Sequence, residues 1–172
     1  LTLCWHIFAR RLIVRWGDDI MKRPLLIALF FGATFPQAGP YGLTFVLPPL
    51  FASFDGSAAD VGNTLALTAI STLFIVMFSG HVTERLRRMP TIAWSGGIIA
   101  LSLLLFATAA GVGVQIYAAG ILLGLGWGLF YTFTPVALGQ IIAPDERVRF
   151  FTLLSVFIMA SFGLAPVMSS WI

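Results

Sequence analysis

The fold class follows from the stretch Gly80-His81-Val82-Thr83-Glu84-Arg85-Leu86-Arg87-Arg88-Met89-Pro90, a compact charged segment between two long uncharged runs. Upstream, residues 61–83 contain no Asp, Glu, Lys or Arg, and downstream the next charged residue is Asp145. A charged segment in this position is expected to be a short loop at a membrane face. Because three of its residues are arginines, the positive-inside rule predicts that this face is cytoplasmic.

The composition is that of an integral membrane protein. Hydrophobic residues make up 59% of the chain, charged residues only 10%, and the mean hydropathy is +0.97, all outside the range of a soluble globular domain. The basic residues that raise the pI to about 9.6 are the ones that topology requires, and they outline no basic groove for nucleic acid. Cys4 is the only cysteine, so neither an intramolecular disulfide nor a cysteine-based metal site is expected.

The apolar runs predict an all-α, polytopic chain with five transmembrane helices. Each run is long enough to cross a hydrocarbon core of about 30 Å. The predicted spans are residues 24–54, 58–83, 90–108, 113–142 and 150–172. Pro36, Pro40, Pro48 and Pro49 predict a kink in the first span because each removes a backbone donor. Pro90 is expected to begin the third helix.

The basic residues test this arrangement, because a wrong set of spans would scatter them over both faces. All of them fall on one side: Arg10, Arg11, Arg15, Lys22, Arg23, Arg85, Arg87, Arg88, Arg147 and Arg149. The loop 55–60, with Asp55 and Asp60, and the turn 109–113 fall on the other side. We therefore expect a multi-pass protein of the cell inner membrane with a cytoplasmic N-terminus.

Residues 1–20 allow two interpretations. Trp5, Trp16 and Arg11 fit a helix that lies in the headgroup plane, with an apolar stripe beside the arginines. The chain begins with Leu, however, and Met21 stands just before the first span, so these residues could equally be a non-native extension.

The charged segment resembles the signature loop of the major facilitator superfamily, a large class of secondary transporters. Gly80, Glu84 and Arg85 match its pattern Gly-x-x-x-acid-Arg between the second and third helices. The second half departs from it, with Arg87 in place of a glycine and Met89 in place of a basic residue. The resemblance implies a role in the conformational cycle for Gly80, Glu84, Arg85 and Arg88. The alternative is a plain cytoplasmic anchor.

Two further helices carry parts of the resemblance. The glycines of the fourth span, Gly120 and Gly124 among them, allow close helix packing. Gly120 occupies the position where the family often has an arginine linked to proton antiport, so that mechanism is not implied here. In the fifth span, Ser161-x-x-x-Ala165-Pro166-x-x-Ser169-Ser170 resembles the family's antiporter motif with each glycine replaced, which leaves a helix kinked at Pro166.

The resemblance covers residues 21–172 and implies two six-helix halves around a central site. The chain contains five spans of the first half, so we expect a fragment that lacks the C-terminal half of the transporter. With Asp60 assigned to the outer loop, no span contains a charged side chain. The first and fourth helices would line the cavity, where the candidates for substrate contact are Gln37, Tyr41, Trp127 and Tyr131. Alternatively, these groups hydrogen-bond neighbouring helices.

Three classes of function follow. The first is a secondary transporter that exports neutral or cationic amphipathic small molecules by alternating access, with no cofactor and no metal. The second is a non-transporting five-helix scaffold or partner subunit. A membrane-embedded enzyme comes third, because no span brings together nucleophile, base or metal ligands.

Overall fold

The computed structural model describes residues 25–85 and 88–169, leaving aside the side chains at 80–89, 165, 168 and 169. Within these residues every regular element is helical and no strand occurs, so the predicted all-α class is confirmed. The predicted amphipathic segment 1–20 lies outside the described residues. The elements are α1 (25–42), a 3-10 helix (Leu43–Val46), α2 (Leu47–Ala52), α3 (Ala58–Arg85), α4 (Arg88–Ala107), α5 (Val114–Ile141) and α6 (Arg147–Ser169).

Four of the described helices are long and apolar enough to cross a membrane. The stretches that qualify are Ala58–Ser79, Pro90–Ala107, Val114–Ile141 and Arg147–Leu164. The first predicted span is built differently, from α1, the 3-10 helix and α2 in succession. The described helices are thus consistent with five predicted spans and a polytopic membrane protein.

The break in the first span lies between two groups of prolines. The α-helix ends after Tyr41-Gly42, and the 3-10 turn that follows separates Pro40 from Pro48. The hydroxyl of Thr44 donates to the carbonyl oxygen of Tyr41 at 2.8 Å. Pro48 stands in the first turn of α2, where a missing backbone donor costs nothing. The predicted kink therefore takes the form of a short 3-10 segment.

The helices extend further into the charged segments than predicted. Residues 80–85 continue α3, and α4 begins at Arg88 rather than at Pro90, so residues 80–90 are mostly helix and not a loop. Helix α6 likewise begins at Arg147 instead of residue 150. Arginine favours helix and can extend its long side chain towards the headgroups, so a helix need not end where its apolar run ends.

The opposite end of the molecule is closed by a tight turn before α3. Asp55 adopts a left-handed conformation with φ 54°, and the amide of Gly56 donates to the Phe51 carbonyl at 2.9 Å. A Cβ atom on Gly56 would lie 2.8 Å from a methyl carbon of Val112, which shows that this turn packs on the turn between α4 and α5. Asp60, predicted to be a loop residue, lies in the first turn of α3.

Helix α5 is the centre of the bundle, with buried residues along its whole length. It runs parallel to α3, since Thr68 donates to the Gly120 carbonyl at 3.0 Å and Thr72 to the Gly124 carbonyl at 3.1 Å. It runs antiparallel to α4, where the Ser102 hydroxyl donates to the Ala119 carbonyl at 2.7 Å. Hydroxyl groups of α3 and α4 thus bind the backbone of α5 directly.

Helices α1 and α6 pack together beside α5 and run parallel to each other. The rings of Phe31 and Phe157 lie 5.0 Å apart, centroid to centroid, and the Ser161 hydroxyl donates to the Phe35 carbonyl at 3.5 Å. Buried residues of α1, α5 and α6, joined by Ile92, form one apolar core. A separate smaller core near the Asp55 turn contains Leu47, Phe51 and Ile116.

Candidate functional site

The indole of Trp127 is at the centre of an aromatic cluster that joins α1, α5 and α6. Its ring stacks on Tyr41, with centroids 4.6 Å apart and an angle of 20° between the planes. Phe162 of α6 lies 5.1 Å from Trp127 and 5.6 Å from Tyr41, so the three rings contact one another in a triangle. Phe130 lies 5.3 Å from Trp127. Aromatic pairs at these separations are worth about 0.5–1.5 kcal/mol beyond the area they bury.

Exposure differs sharply within the cluster. Trp127 is only 6% exposed and Phe130 is fully buried, whereas Tyr131, whose ring centroid is 6.0 Å from that of Trp127, is 55% exposed. Tyr41 is half-buried. A ligand that approached the cluster in this conformation would therefore meet Tyr131 and Tyr41 before it met the indole.

Gln37 lies one helical turn before Tyr41 on α1, at the contact between α1 and α4. The Ser95 hydroxyl donates to the Ile92 carbonyl at 2.7 Å and shares its proton with Oε1 of Gln37 at 3.4 Å. A Cβ atom on Gly96 would lie 3.2 Å from the amide carbon of Gln37, so this glycine makes room for the side chain. Gln37 is half-buried. Its amide is thus positioned by α4 while part of it stays accessible.

The structure brings together three of the four residues predicted to contact substrate. Tyr41, Trp127 and Tyr131 belong to the aromatic cluster, and Gln37 precedes Tyr41 by four residues on the same helix. The hydrogen bond between Ser95 and Gln37 also fits the alternative role of such polar groups, which is to connect neighbouring helices.

The residues of the predicted conformational motif lie at helix ends. Gly80, Glu84 and Arg85 belong to the last turns of α3, and Arg88 is the first residue of α4. Their side chains are outside the described part of the structure. The backbone nevertheless places the motif at the end of the bundle opposite Asp55.

The two packing glycines of α5 lie against α3. A Cβ atom on Gly120 would approach a methyl carbon of Thr64 to 2.9 Å. One on Gly124 would overlap the carbonyl oxygen of Thr68 and lie 2.9 Å from Cβ of Ser71. The backbones of α3 and α5 approach each other so closely that neither glycine position has room for a side chain.

Helix α6, which carries the predicted kink residue Pro166, continues through that proline to Ser169.

Sequence reasoning missed Phe130 and Phe162 of the aromatic cluster, the hydroxyl that contacts Gln37, and one buried hydroxyl. Phe162 and Ser95 come from helices whose own patterns do not identify which neighbour they touch. Thr134 is fully buried, and its hydroxyl has no hydrogen-bond partner among the described residues. Pro135 follows it and cannot donate to the Tyr131 carbonyl, so this turn of α5 is locally under-bonded. The pair Thr134-Pro135 is the feature of the sequence that could have identified this turn.

Comparison with known proteins identifies the family. The family model described as Major Facilitator Superfamily matches residues 25–172. The chain belongs to the major facilitator superfamily. The resemblance drawn from the charged segment is therefore confirmed. No curated protein and no solved structure matches the chain.

Membership decides the general class of function. Major facilitator proteins are secondary transporters and not enzymes, and this member, with its long apolar helices, is a multi-pass membrane protein. The aromatic cluster and the Gln37 amide are accordingly candidate substrate contacts of a transporter.

Proposed function

We propose that this major facilitator protein exports neutral or cationic amphipathic small molecules from the cell by alternating access. In this proposal it lies in the inner membrane with its N-terminus in the cytoplasm. The chain supplies helices of the first half, and further residues supply a second six-helix half that completes the site. The observation that carries the proposal is the aromatic cluster around Trp127.

The charge distribution supports this choice of substrate. Within the four candidate spans that the structure describes, charged residues lie only at the ends, namely Asp60, Arg147 and Arg149. An anion bound beside Trp127 would find no positive side chain from these helices, and an uncompensated buried charge costs several kcal/mol. A cation instead gains about 0.5–2 kcal/mol from the face of an aromatic ring.

Equilibrium binding of tetraphenylphosphonium to the full-length transporter in nanodiscs tests the proposal. We expect Trp127→Ala to weaken binding about tenfold, which corresponds to about 1.4 kcal/mol. Trp127→Phe should retain most of the affinity because an aromatic face remains. Trp94→Ala is the matched control, since Trp94 is 72% exposed on α4 and belongs to no described ring contact of the cluster.

Two results would contradict the proposal. If Trp127→Ala binds the cation as tightly as the wild type does, the cluster is packing and the substrate binds elsewhere. If an anionic analogue of the same size binds more tightly than tetraphenylphosphonium, the substrate class is wrong. Uptake into inverted membrane vesicles tests the direction, because an exporter accumulates the cation inside them.

A further inference from the structure

The stacked pair of Tyr41 and Trp127 poses a problem for any ligand of the cluster. A flat ring or a cation binds best over the face of the indole, yet Tyr41 already lies over it at 4.6 Å and 20°. Trp127 is 6% exposed. A ligand can therefore reach that face only after one of the two rings has moved.

The backbone of Trp127 is fixed on both sides. Cβ atoms on its neighbours Gly126 and Gly128 would lie 2.7 Å from a side-chain carbon of Ile99 and 2.9 Å from Cβ of Ile75. These contacts press α5 against α4 and α3 at the level of the indole. A shift of Trp127 would separate well-packed helices.

The backbone of Tyr41 lies at a break in its helix. Pro40 precedes it, Gly42 is the last residue of α1, and the 3-10 turn Leu43–Val46 begins immediately afterwards. A Cβ atom on the nearby Gly39 would meet nothing within 4 Å, so the segment has free space beside it. Helix breaks with proline and glycine are where a chain can change direction at small cost. Of the two rings, Tyr41 is the one placed to move.

We propose that Tyr41 is a displaceable cover of Trp127, and that the ligand takes the place of its ring. The inference rests on the proposed function and narrows its substrate class. The space that Tyr41 vacates lies over the face of the indole, and Phe162, 5.6 Å from Tyr41 and 5.1 Å from Trp127, closes it on one side. A space one ring thick over the face of the indole selects a planar aromatic cation. Tyr41 thereby becomes a specificity-determining residue rather than a simple contact.

The fluorescence of Trp127 can measure the replacement of the Tyr41 ring by a ligand. In a full-length variant with every tryptophan except Trp127 changed to Phe, Trp5, Trp16, Trp94 and Trp171 among them, the indole emission is quenched when ethidium, a planar aromatic cation, stacks on Trp127. The cover competes with the ligand, so its removal must tighten binding. We expect Tyr41→Leu and Tyr41→Ala to bind ethidium about two- to tenfold more tightly.

Two comparisons sharpen the test. Tyr41→Phe keeps a stacking ring, so its gain in ethidium affinity should be smaller than that of Tyr41→Leu. Tetraphenylphosphonium is a cation that is not planar, so its affinity should gain less from Tyr41→Leu than that of ethidium. Melting temperatures of the variants show whether the protein stays folded. Two substitutions are used because Tyr41→Leu fills more of the vacated volume than Tyr41→Ala and so disturbs the packing less.

The opposite sign overturns the inference. If Tyr41→Leu and Tyr41→Ala both bind ethidium as the wild type does or more weakly, Tyr41 is a bystander or a direct contact, while cation binding and the proposed function remain. An equal gain for tetraphenylphosphonium would refute the selection of planar ligands. If ethidium quenches the indole emission neither of the single-tryptophan protein nor of its Tyr41 variants, the cluster does not bind this cation. The proposed role of the cluster in substrate binding then fails, and the role of Tyr41 as its cover fails with it.

Discussion

The hydroxyl of Tyr117 donates a hydrogen bond of 2.9 Å to Oδ1 of Asp60 and so joins the first turn of α5 to the first turn of α3. The other carboxylate oxygen accepts bonds from the backbone amide and the hydroxyl of Ser57, at 2.9 and 2.7 Å. One carboxylate thus caps the N-terminus of α3, where negative charge is favourable, and ties a second helix to it.

Removal of this link should lower the melting temperature in detergent. Tyr117→Phe loses one hydrogen bond, whereas Asp60→Ala loses the helix cap as well, so we expect the larger decrease for Asp60→Ala. Tyr131→Phe serves as control because Tyr131 is 55% exposed and its hydroxyl makes no described link between helices. Equal melting temperatures for Asp60→Ala and the wild type would show that the link contributes nothing.

The contact between α3 and α5 should not tolerate a side chain at Gly124. A Cβ atom there would overlap the Thr68 carbonyl oxygen, so Gly124→Ala must push the helices apart. We expect a loss of about 1–3 kcal/mol in stability. Gly97→Ala on α4 is the matched control, because a Cβ atom there meets nothing within 4 Å. Thermal unfolding that is the same for both variants would contradict the close approach.

Gln37 should determine which ligands are preferred more than how tightly they bind. Tetraphenylphosphonium has no hydrogen-bonding group, so Gln37→Ala should change its dissociation constant less than about twofold. A ligand with an amide or hydroxyl should lose about fivefold, the effect of one hydrogen bond. Ser95→Ala removes the donor to Gln37 and tests whether positioning matters. A uniform loss for all ligands would show that Gln37 acts through packing instead.

The topology predicts which positions a membrane-impermeant thiol reagent can reach from outside intact cells. In a full-length background with Cys4 and every other cysteine changed to Ser, cysteine at position 57 or 111 should be labelled, and cysteine at position 87 only after the cells are opened. Ser57 is exposed, and a Cβ atom on Gly111 meets open space. Labelling of position 87 from outside would reverse the proposed orientation.

Glu84→Gln should slow transport while ligand binding stays close to that of the wild type. Glu84 lies nine residues beyond Ile75, the residue that packs beside Gly128 at the level of Trp127, which is about 14 Å along α3. It can act only on the equilibrium between inward and outward states, and we expect at least about a fivefold lower rate. Asp145→Asn removes an exposed charge at the same end and should leave the rate unchanged. If both variants transport normally, residues 80–90 serve only as an anchor.

The sequence was sufficient to predict which segments are membrane-spanning helices, because bilayer thickness imposes a minimum length on each apolar run. It was less informative about helix ends. Arg147 was predicted to lie in a loop and begins α6 instead, since hydropathy records where the apolar run stops and not where the backbone stops being helical. The predicted span began at residue 58, as α3 does, and Asp60, which was also assigned to the outer loop, belongs to the helix that it caps.

The site was predictable only as far as one helix determines it. Helical spacing put Trp127 and Tyr131 on neighbouring turns of α5, yet no pattern within α5 could show that Tyr41 covers the one and leaves the other exposed. Phe162 is one of 16 phenylalanines, and its choice of neighbour depends on the register between α1 and α6. Contacts between helices are a property of the assembled bundle.

The hydroxyls between α3 and α5 each have two acceptors for one proton. Thr68 donates to the Thr64 carbonyl at 2.9 Å and to that of Gly120 at 3.0 Å, and Thr72 shares its proton in the same way between Thr68 and Gly124. If α5 moves along α3, each proton falls back on its own helix, and no donor is stranded in an apolar interior. The glycines hold the backbones of α3 and α5 in close contact, and the threonines allow α5 to slide along α3 without leaving a buried hydroxyl proton unbonded.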